Sequence, residues 1–349
     1  MLVLKLLCFE EFFVAIVLLM NEDDIISYVY SLDPELFTLK NINNIVCAKL
    51  DAGLHNLNFK LELSDGGNKY PVVLRIADNN RRPDSLTNEK YYIDILKDTN
   101  ICPRVLFYER NGINNKPVLV SEFIEGSHIK FKDLSTEQIK VLATKIASIH
   151  SNHKTSFSTG NAQLPSENGT LKDYAQKTIK DRIDYPYKIY KVAVDHDKEL
   201  INKACSMLQD LLRQDSEVSW SNNTFSLCHG DIGWGNVIWN NSSPYFIDWD
   251  DARFGDPADD LAYIFAINDP DEDFQKTFLQ AYIEESNDKS VTPRLKAYIL
   301  SNYLFDVTWS LGRLYKLSQG KSLIKVSEEK YQEMYEKRLM NLKTYIESQ

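Results

Sequence analysis

Thirteen residues from Asp248 to Asp260 hold six aspartates, Asp248, Asp250, Asp251, Asp256, Asp259 and Asp260, in a chain that already carries a net charge of −10. They close the stretch LCHGDIGWGNVIWNNSSPYFIDWDDARFGDPADDLA, which runs from Leu227 to Ala262. Like charges packed this densely are tolerated where something positive sits among them, and a divalent cation or a cationic substrate meets that need. Asp231 and Asn236 are spaced D-x-x-x-x-N, and the strand-like PYFID delivers Asp248 twelve residues later. Three oxygen-bearing side chains from two adjacent segments thereby come to one place. Mg²⁺ favours such oxygens and keeps several waters, so two protein ligands, Asn236 and Asp248, suit it once a substrate's phosphates complete the shell. Asp231 can instead accept the proton of an attacking hydroxyl and aim that oxygen at phosphorus.

Neighbouring residues are read more plainly. His229 is expected to brace this loop by hydrogen bonds, His150 and His153 to interact with the last carbonyls of a helix, and Asp260 to cap the DLAYIF helix or tie the loop down. For Asp250, Asp251 and Asp256, contact with metal or substrate and simple loop hydrogen bonding both stand open. Trp234 and Trp249 are read first as packing.

The elements that must carry these residues follow from the pattern. IVCAKL, LNFKLEL and YPVVLRI, between Ile45 and Ile76, read as strands joined by DAG and by the turn cluster SDGGNK, so an antiparallel sheet is expected. A helix should run from about Ser85 to Lys97, followed by the strands VLFYE and VLVSEF. On that helix Glu89, Tyr92, Ile93 and Leu96 share the apolar face, and a buried carboxylate requires a cation; the β-rich part offers Arg75. STEQ at Ser135 to Gln138 is a capping box opening a helix to about His150. Ser151 to Thr170 reads as a loop, and helical segments continue to Ser226. The organisation expected is an N-terminal extension (1–20), a small β-rich lobe (21–124) and a larger, mainly helical lobe (125–349).

At 349 residues with 43% apolar content, the chain has ample material for a buried core. Its acidity and lack of a Lys/Arg block argue against nucleic acid. Five cysteines, at 8, 47, 102, 205 and 228, form no CxxC pair, which fits a reducing cytoplasm and neither a disulfide framework nor a zinc site. The opening MLVLKLLCFEEFFVAIVLLM is broken by Lys5, Glu10 and Glu11, so it is too short to span a bilayer and lacks the marks of a secretory signal. Three readings stand for it: a helix packed on the fold, a membrane-surface or partner-binding helix, or an upstream extension of a chain starting functionally at Met20.

His229-Gly230-Asp231 with Asn236, Ile247-Asp248-Trp249-Asp250, Gly255-Asp256-Pro257 and Asp260-Leu261-Ala262 together resemble the aminoglycoside phosphotransferase and choline/ethanolamine kinase family of small-molecule kinases. AGLHNLNF (Ala52 to Phe59) resembles the family's nucleotide-binding loop, VVLRI its basic-residue strand, Glu89 its partner acid and VLVSEFIEG its hinge. The resemblance implies an α+β, bilobal protein-kinase-like fold and Mg²⁺-dependent transfer of the γ-phosphoryl group of ATP, or GTP, to a hydroxyl of a small cationic molecule. It implies Asp231 as catalytic base, Asn236 and Asp248 as metal ligands, and Gly53, Asn56, Arg75, Glu89, Glu122 and Ile124 around the nucleotide, whose base would bond to backbone near Glu122 to Ile124. Ala52 stands where the family usually has a first glycine. Arg75 stands where aminoglycoside kinases mostly carry Lys, which leans toward the choline-kinase side. Amino alcohols and amino sugars compete as acceptors. A nucleotide-binding pseudokinase scaffold is disfavoured by retention of Asp231, Asn236 and Asp248, and a protein-substrate kinase by the Gly-Asp-Pro and Asp-Leu-Ala elements.

The acceptor side is read from YILSNYLFDVTWSLGRLY, Tyr298 to Tyr315. Leu300, Leu304, Val307, Leu311 and Leu314 form the core stripe of a helix, while Asn302, Asp306, Trp309 and Arg313 share nearly the opposite side. Trp309 offers a π-face and Asp306 a carboxylate, together suited to an ammonium group; the alternative is a partly buried Trp that only packs. Asp250 is the third candidate acceptor contact.

Overall fold

The computed structural model describes residues 21–50, 56–77, 84–157, 167–189, 195–213, 220, 224–268, 270–319 and 327–349. The opening segment, the loop 51–55 with Gly53, and the sequence's expectations for them lie outside these residues. The chain divides into two compact units, Met1–Lys90 with Pro103–Phe123, and Tyr91–Cys102 with Ile124–Gln349.

The first unit opens with α1 (Glu22–Tyr30), whose N-cap Asn21 and Asp24 form a reciprocal capping box. Strands β1 (Asn44–Leu50), β2 (Asn56–Ser64) and β3 (Lys69–Ala77) precede α2 (Ser85–Leu96), and β4 (Val105–Glu109) and β5 (Val118–Glu122) follow it. All five strands form one antiparallel sheet in the order β1-β2-β3-β5-β4. Between β2 and β3 the Asp65 carboxylate accepts from the N–H groups of Gly67 and Asn68, and Gly66 sits at φ +94°, which closes the turn. The period of two sends Leu61, Leu63, Val72, Leu74 and Ile76 into one buried cluster. Arg75 and Ala77 therefore point to the other face, where Ala77 and Leu119 pack with Leu86 of α2. One turn after Leu86 on that helix comes Glu89.

In the second unit come α3 (Thr136–His150), short strands β6 (His153–Lys154), β7 (Ser156–Phe157) and β8 (Glu167–Asn168), then α4 (Leu171–Ile189) and α5 (Asp195–Arg213). Next are β9 (Phe225–Cys228), β10 (Val237–Asn240), β11 (Ser243–Phe246), β12 (Arg253–Gly255), α6 (Pro257–Ile267), α7 (Glu272–Ser286), α8 (Thr292–Ser318) and α9 (Glu328–Glu347). The β10–β11 hairpin and the three-stranded β12-β9-β6 sheet hold the aspartate-rich stretch. Helix α8 lies against α4, α5, α6 and α9. No helix among the described residues is long and apolar enough to cross a membrane.

Three expectations are corrected. Residues 91–102 cluster with the second unit, because Tyr92 packs on Phe254 and the Ile101 carbonyl accepts the Phe246 N–H at 2.8 Å. The stretch 151–170 contains three two-residue strands: β6 pairs with the sequence-distant β9, and β7 pairs with β8 within the stretch, pairings that local periodicity does not encode. Phe225 and Ser226, at the end of the expected helical region, belong to the strand Phe225–Cys228; so short a run carries no period that separates the two.

Candidate active site

Strand β9 leads directly into His229, Gly230 and Asp231, and α6 holds that loop at three levels. The Asp260 carboxylate accepts the His229 and Gly230 N–H groups, both at 2.7 Å. Tyr263, one turn on, donates its hydroxyl to Asp231 Oδ1. Asn268, the C-cap, donates to the Ile232 carbonyl at 3.2 Å and accepts the Trp234 N–H at 3.0 Å. Gly230 is required here: its φ is +86°, and a Cβ would come within 2.3 Å of an Arg253 nitrogen and 2.4 Å of the Asp251 carbonyl.

His229 is fully buried, and its ring nitrogens are both used within the loop. Nδ1 accepts from the Asp231 N–H at 3.3 Å, so Nε2 carries the proton and donates to the Ile247 carbonyl at 3.0 Å. Burial holds its pKa below the ordinary value, which keeps the ring neutral and structural.

Asn236 donates from Nδ2 to the Asp231 carbonyl and to Asp231 Oδ2, each at 2.9 Å, which turns its Oδ1 to the other side. The hairpin pairs Val237 with Phe246, and the Ile247 N–H donates to the Asn236 carbonyl at 3.0 Å. Asp248 follows in the left-handed region, at φ +67°, a conformation that Asp adopts more readily than most residues and that turns the chain sharply into Trp249. The hairpin thus sets Asn236 and Asp248 in neighbouring registers. An amide oxygen and a carboxylate are hard oxygen donors of the kind Mg²⁺ takes, so these residues fit that ion.

Asp231 is pushed up to about 7. Burial is the main cause, and the negative charges of Asp251 and Asp248 add to it, while the bonds from Tyr263 and Asn236 oppose it. A carboxyl poised near neutrality and set beside two hard oxygen ligands can take the proton of an alcohol as its oxygen attacks phosphorus.

The other aspartates are occupied. Asp256 caps α6 through the Ala258 N–H at 2.9 Å and is gripped by Arg294 at 2.7 and 2.9 Å. Asp259 receives Arg253 at 2.7 Å, Arg182 at 3.1 Å and the Tyr174 hydroxyl at 3.2 Å. Asp260 also meets His150 Nε2 at 3.2 Å, whose Nδ1 faces the Tyr282 hydroxyl, so His150 is a buried brace and does not cap the helix end. His153 contacts the Ser226 hydroxyl at 3.2 Å. Trp249 is buried, with its indole N–H on the Phe246 carbonyl and its ring 4.5 Å from His229. Trp234 is exposed, with the Lys130 ammonium 5.8 Å from its ring. Asp250 and Asp251 lie half-buried in the turn after Asp248.

Within the first unit, Arg75 Nη1 bridges both oxygens of Glu89 at 2.5 and 2.6 Å, and both residues are nearly buried. Asn56 is a buried strand residue whose Oδ1 accepts from the Ser85 hydroxyl at 3.3 Å. Glu122 pairs through its side chain with Arg104 at 2.8 Å, and its N–H donates to the Arg104 carbonyl. The Phe123 N–H goes to Pro71. Of the backbone donors expected to meet a nucleotide base, Ile124 is therefore the one not spent in the sheet.

The face of α8 read as an ammonium seat carries cations of the chain. Arg338 of α9 pairs with Asp306 at 2.9 Å, and the guanidinium carbons of Arg313 and Arg338 lie 4.5 and 5.0 Å from the Trp309 ring centroid. Tyr331 covers Trp309 further. These cations belong to the chain itself: Arg313 stands one turn from Trp309 on the same helix, whereas Arg338 comes from α9 and could not be read from α8 alone. Burial pushes Asp306 up to about 6, with Arg338 opposing.

Sequence reasoning missed Tyr263, Arg182, Arg253 and Arg294. Tyr263 was findable, since it stands one helical turn after Asp260 on a helix already placed beside the loop.

The antiparallel-sheet unit, followed by a mainly helical unit that carries the Asp231 loop and the Asn236–Asp248 hairpin, has a protein-kinase-like fold. A choline/ethanolamine kinase family protein from Mesorhizobium loti matches it with a TM-score of 0.64 at 17% identity, over 94% of this chain and 95% of that one. A thermostable mutant of aminoglycoside phosphotransferase APH(4)-Ia, solved with AMP-PNP and hygromycin B, matches with a TM-score of 0.61 at 18% identity, over 88% and 95%. A protein from Mycoplasma capricolum subsp. capricolum described as a LicA homolog is 24% identical over 196 residues, 56% of this chain and 67% of that protein. The sequence model of the phosphotransferase enzyme family matches residues 46–298, and the chain belongs to that family.

Proposed function

We propose that the protein transfers the γ-phosphoryl group of ATP, or GTP, to a hydroxyl of a small, cationic molecule such as an amino alcohol or an amino sugar. The observation that carries this is the Asp231–Asn236 arrangement, in which one amide orients the candidate base with its nitrogen and leaves its oxygen, beside Asp248, for a cation. Asp231 accepts the acceptor's proton as that oxygen bonds to Pγ, and the bond from Pγ to the β-phosphate bridging oxygen breaks to release nucleoside diphosphate. Asn236 and Asp248 would hold Mg²⁺, which when bound would neutralise phosphate charge. Arg75, fixed by Glu89, faces the donor's phosphates, and Ile124 supplies the backbone donor for its base. The AMP-PNP and hygromycin B bound by the APH(4)-Ia mutant support a nucleotide donor and a hydroxylated acceptor. The test is nucleoside diphosphate release with ATP or GTP and Mg²⁺ against a panel of amino alcohols, aminoglycosides and uncharged polyols. Stimulation by the cationic members is expected; stimulation by polyols alone would contradict the acceptor class, and none at all the reaction.

A further inference from the structure

Three groups of α6 grip the loop, but only one of them reaches the reacting atom. Asp260 and Asn268 bind backbone, whereas the Tyr263 hydroxyl donates to Asp231 Oδ1 itself. Oδ2 is meanwhile taken by Asn236, which also bonds the backbone carbonyl of Asp231. The Tyr263 hydroxyl is thus an O–H donor on the carboxylate, the same chemistry that an acceptor alcohol presents to its base. It sits on a helix pinned at both ends to the loop, and its ring remains partly exposed.

We propose that Tyr263 is a positioning residue that keeps water off the proton-accepting oxygen of Asp231, so that phosphoryl transfer goes to the acceptor and not to solvent. The proposal rests on Asp231 being the base, as proposed above. A hydrogen bond to a carboxylate is roughly twice as strong as a neutral one. An acceptor molecule offsets its loss with the contacts made by the rest of its structure, and its hydroxyl replaces that of Tyr263. A lone water has no such contacts to contribute and stays outside. In the side reaction that is suppressed, the water oxygen bonds to Pγ and the Pγ–O bond to the β-phosphate breaks. Water's proton passes to Asp231, and the products are inorganic phosphate and nucleoside diphosphate.

The test uses the full chain with ATP and Mg²⁺, with no acceptor added, and reads inorganic phosphate. Tyr263→Phe, which keeps the ring, should raise this hydrolysis at least about tenfold, the factor that one charge-assisted hydrogen bond corresponds to, with the KM for ATP within about twofold of the parent. Adding Asp231→Asn to Tyr263→Phe should abolish the gain. Tyr263→Met, which removes the hydroxyl from a flexible side chain, should behave as Tyr263→Phe does and serves if that variant folds poorly. Hydrolysis unchanged or lowered in the folded variants would overturn the proposal, as would a gain that survives Asp231→Asn. The base assignment is judged separately, by Asp231→Asn alone in the presence of choline or hygromycin B as acceptor probes: full transfer there would remove the base and not merely its guard.

Discussion

Asp231 and Asp259 lie 28 positions apart in one acidic stretch and are both withdrawn from water, yet their environments drive them in opposite directions. Burial would raise Asp259, but the guanidiniums of Arg182 and Arg253 more than offset it and hold the carboxyl below the usual range. Among the described residues Asp231 meets no cation; its partners are a phenol and an amide, its neighbours are Asp251 and Asp248, and it rises to about 7. Asp256 and Asp260 belong with Asp259, being fixed by Arg294 and by backbone N–H groups with His150. The acid-rich stretch therefore contains two populations. One is a neutralised girder that shapes the loop; the other is Asp231, whose carboxyl is held by a phenol and an amide and raised by burial.

The largest expected effect tests the second population. Asp231→Ala should lower turnover by roughly 10²–10⁴-fold with little change in nucleotide affinity, measured by steady-state kinetics and calorimetry. Asp248→Ala should instead remove Mg²⁺-dependent nucleotide binding.

Next come effects on stability, where the two populations should differ in sign. Asp259→Ala leaves two buried guanidiniums unpaired and should cost about 3–5 kcal/mol by urea unfolding. The folded pKa of Asp259 is depressed, so its contribution is present above the unfolded value near 3.8 and is lost as pH falls through the folded value. Asp231→Asn should stabilise the metal-free protein at pH 8, by on the order of 1–3 kcal/mol. Its pKa is raised, so the stability its carboxyl contributes is present below about 3.8 and is lost as pH rises through about 7. The gain from Asp231→Asn should accordingly shrink between pH 7 and pH 4. A destabilised Asp231→Asn at pH 8 would show that the two carboxyls are alike.

The smallest effect lies on α8. Trp309→Ala should loosen the contact with α9 and leave the acceptor KM within about twofold, because Arg313 and Arg338 already lie on its ring. A large rise in that KM would restore Trp309 to the acceptor site.

What could be read in advance follows the range of the forces involved. The Arg75–Glu89 pair was legible because a carboxylate on the apolar face of a helix demands a cation and the nearest strand carries one. The loop, the hairpin and α6 were legible because Asp231, Asn236, Asp248 and the capped helix are local in sequence. The cations of the girder were not: Arg182 and Arg294 lie 77 and 38 residues from their carboxylates, and nothing in the surrounding periodicity marks them. Arg338, on the last helix, is 32 residues from Asp306, and its pairing with that carboxylate was hidden for the same reason.

The most direct test of the account is nucleoside diphosphate release by the full chain with ATP and Mg²⁺, compared between the parent and Asp231→Asn across the panel of cationic alcohols. The account predicts acceptor-dependent release in the parent, lost by at least about 10²-fold in the variant while ATP still binds. Equal release by the two proteins with a stimulating acceptor would contradict it.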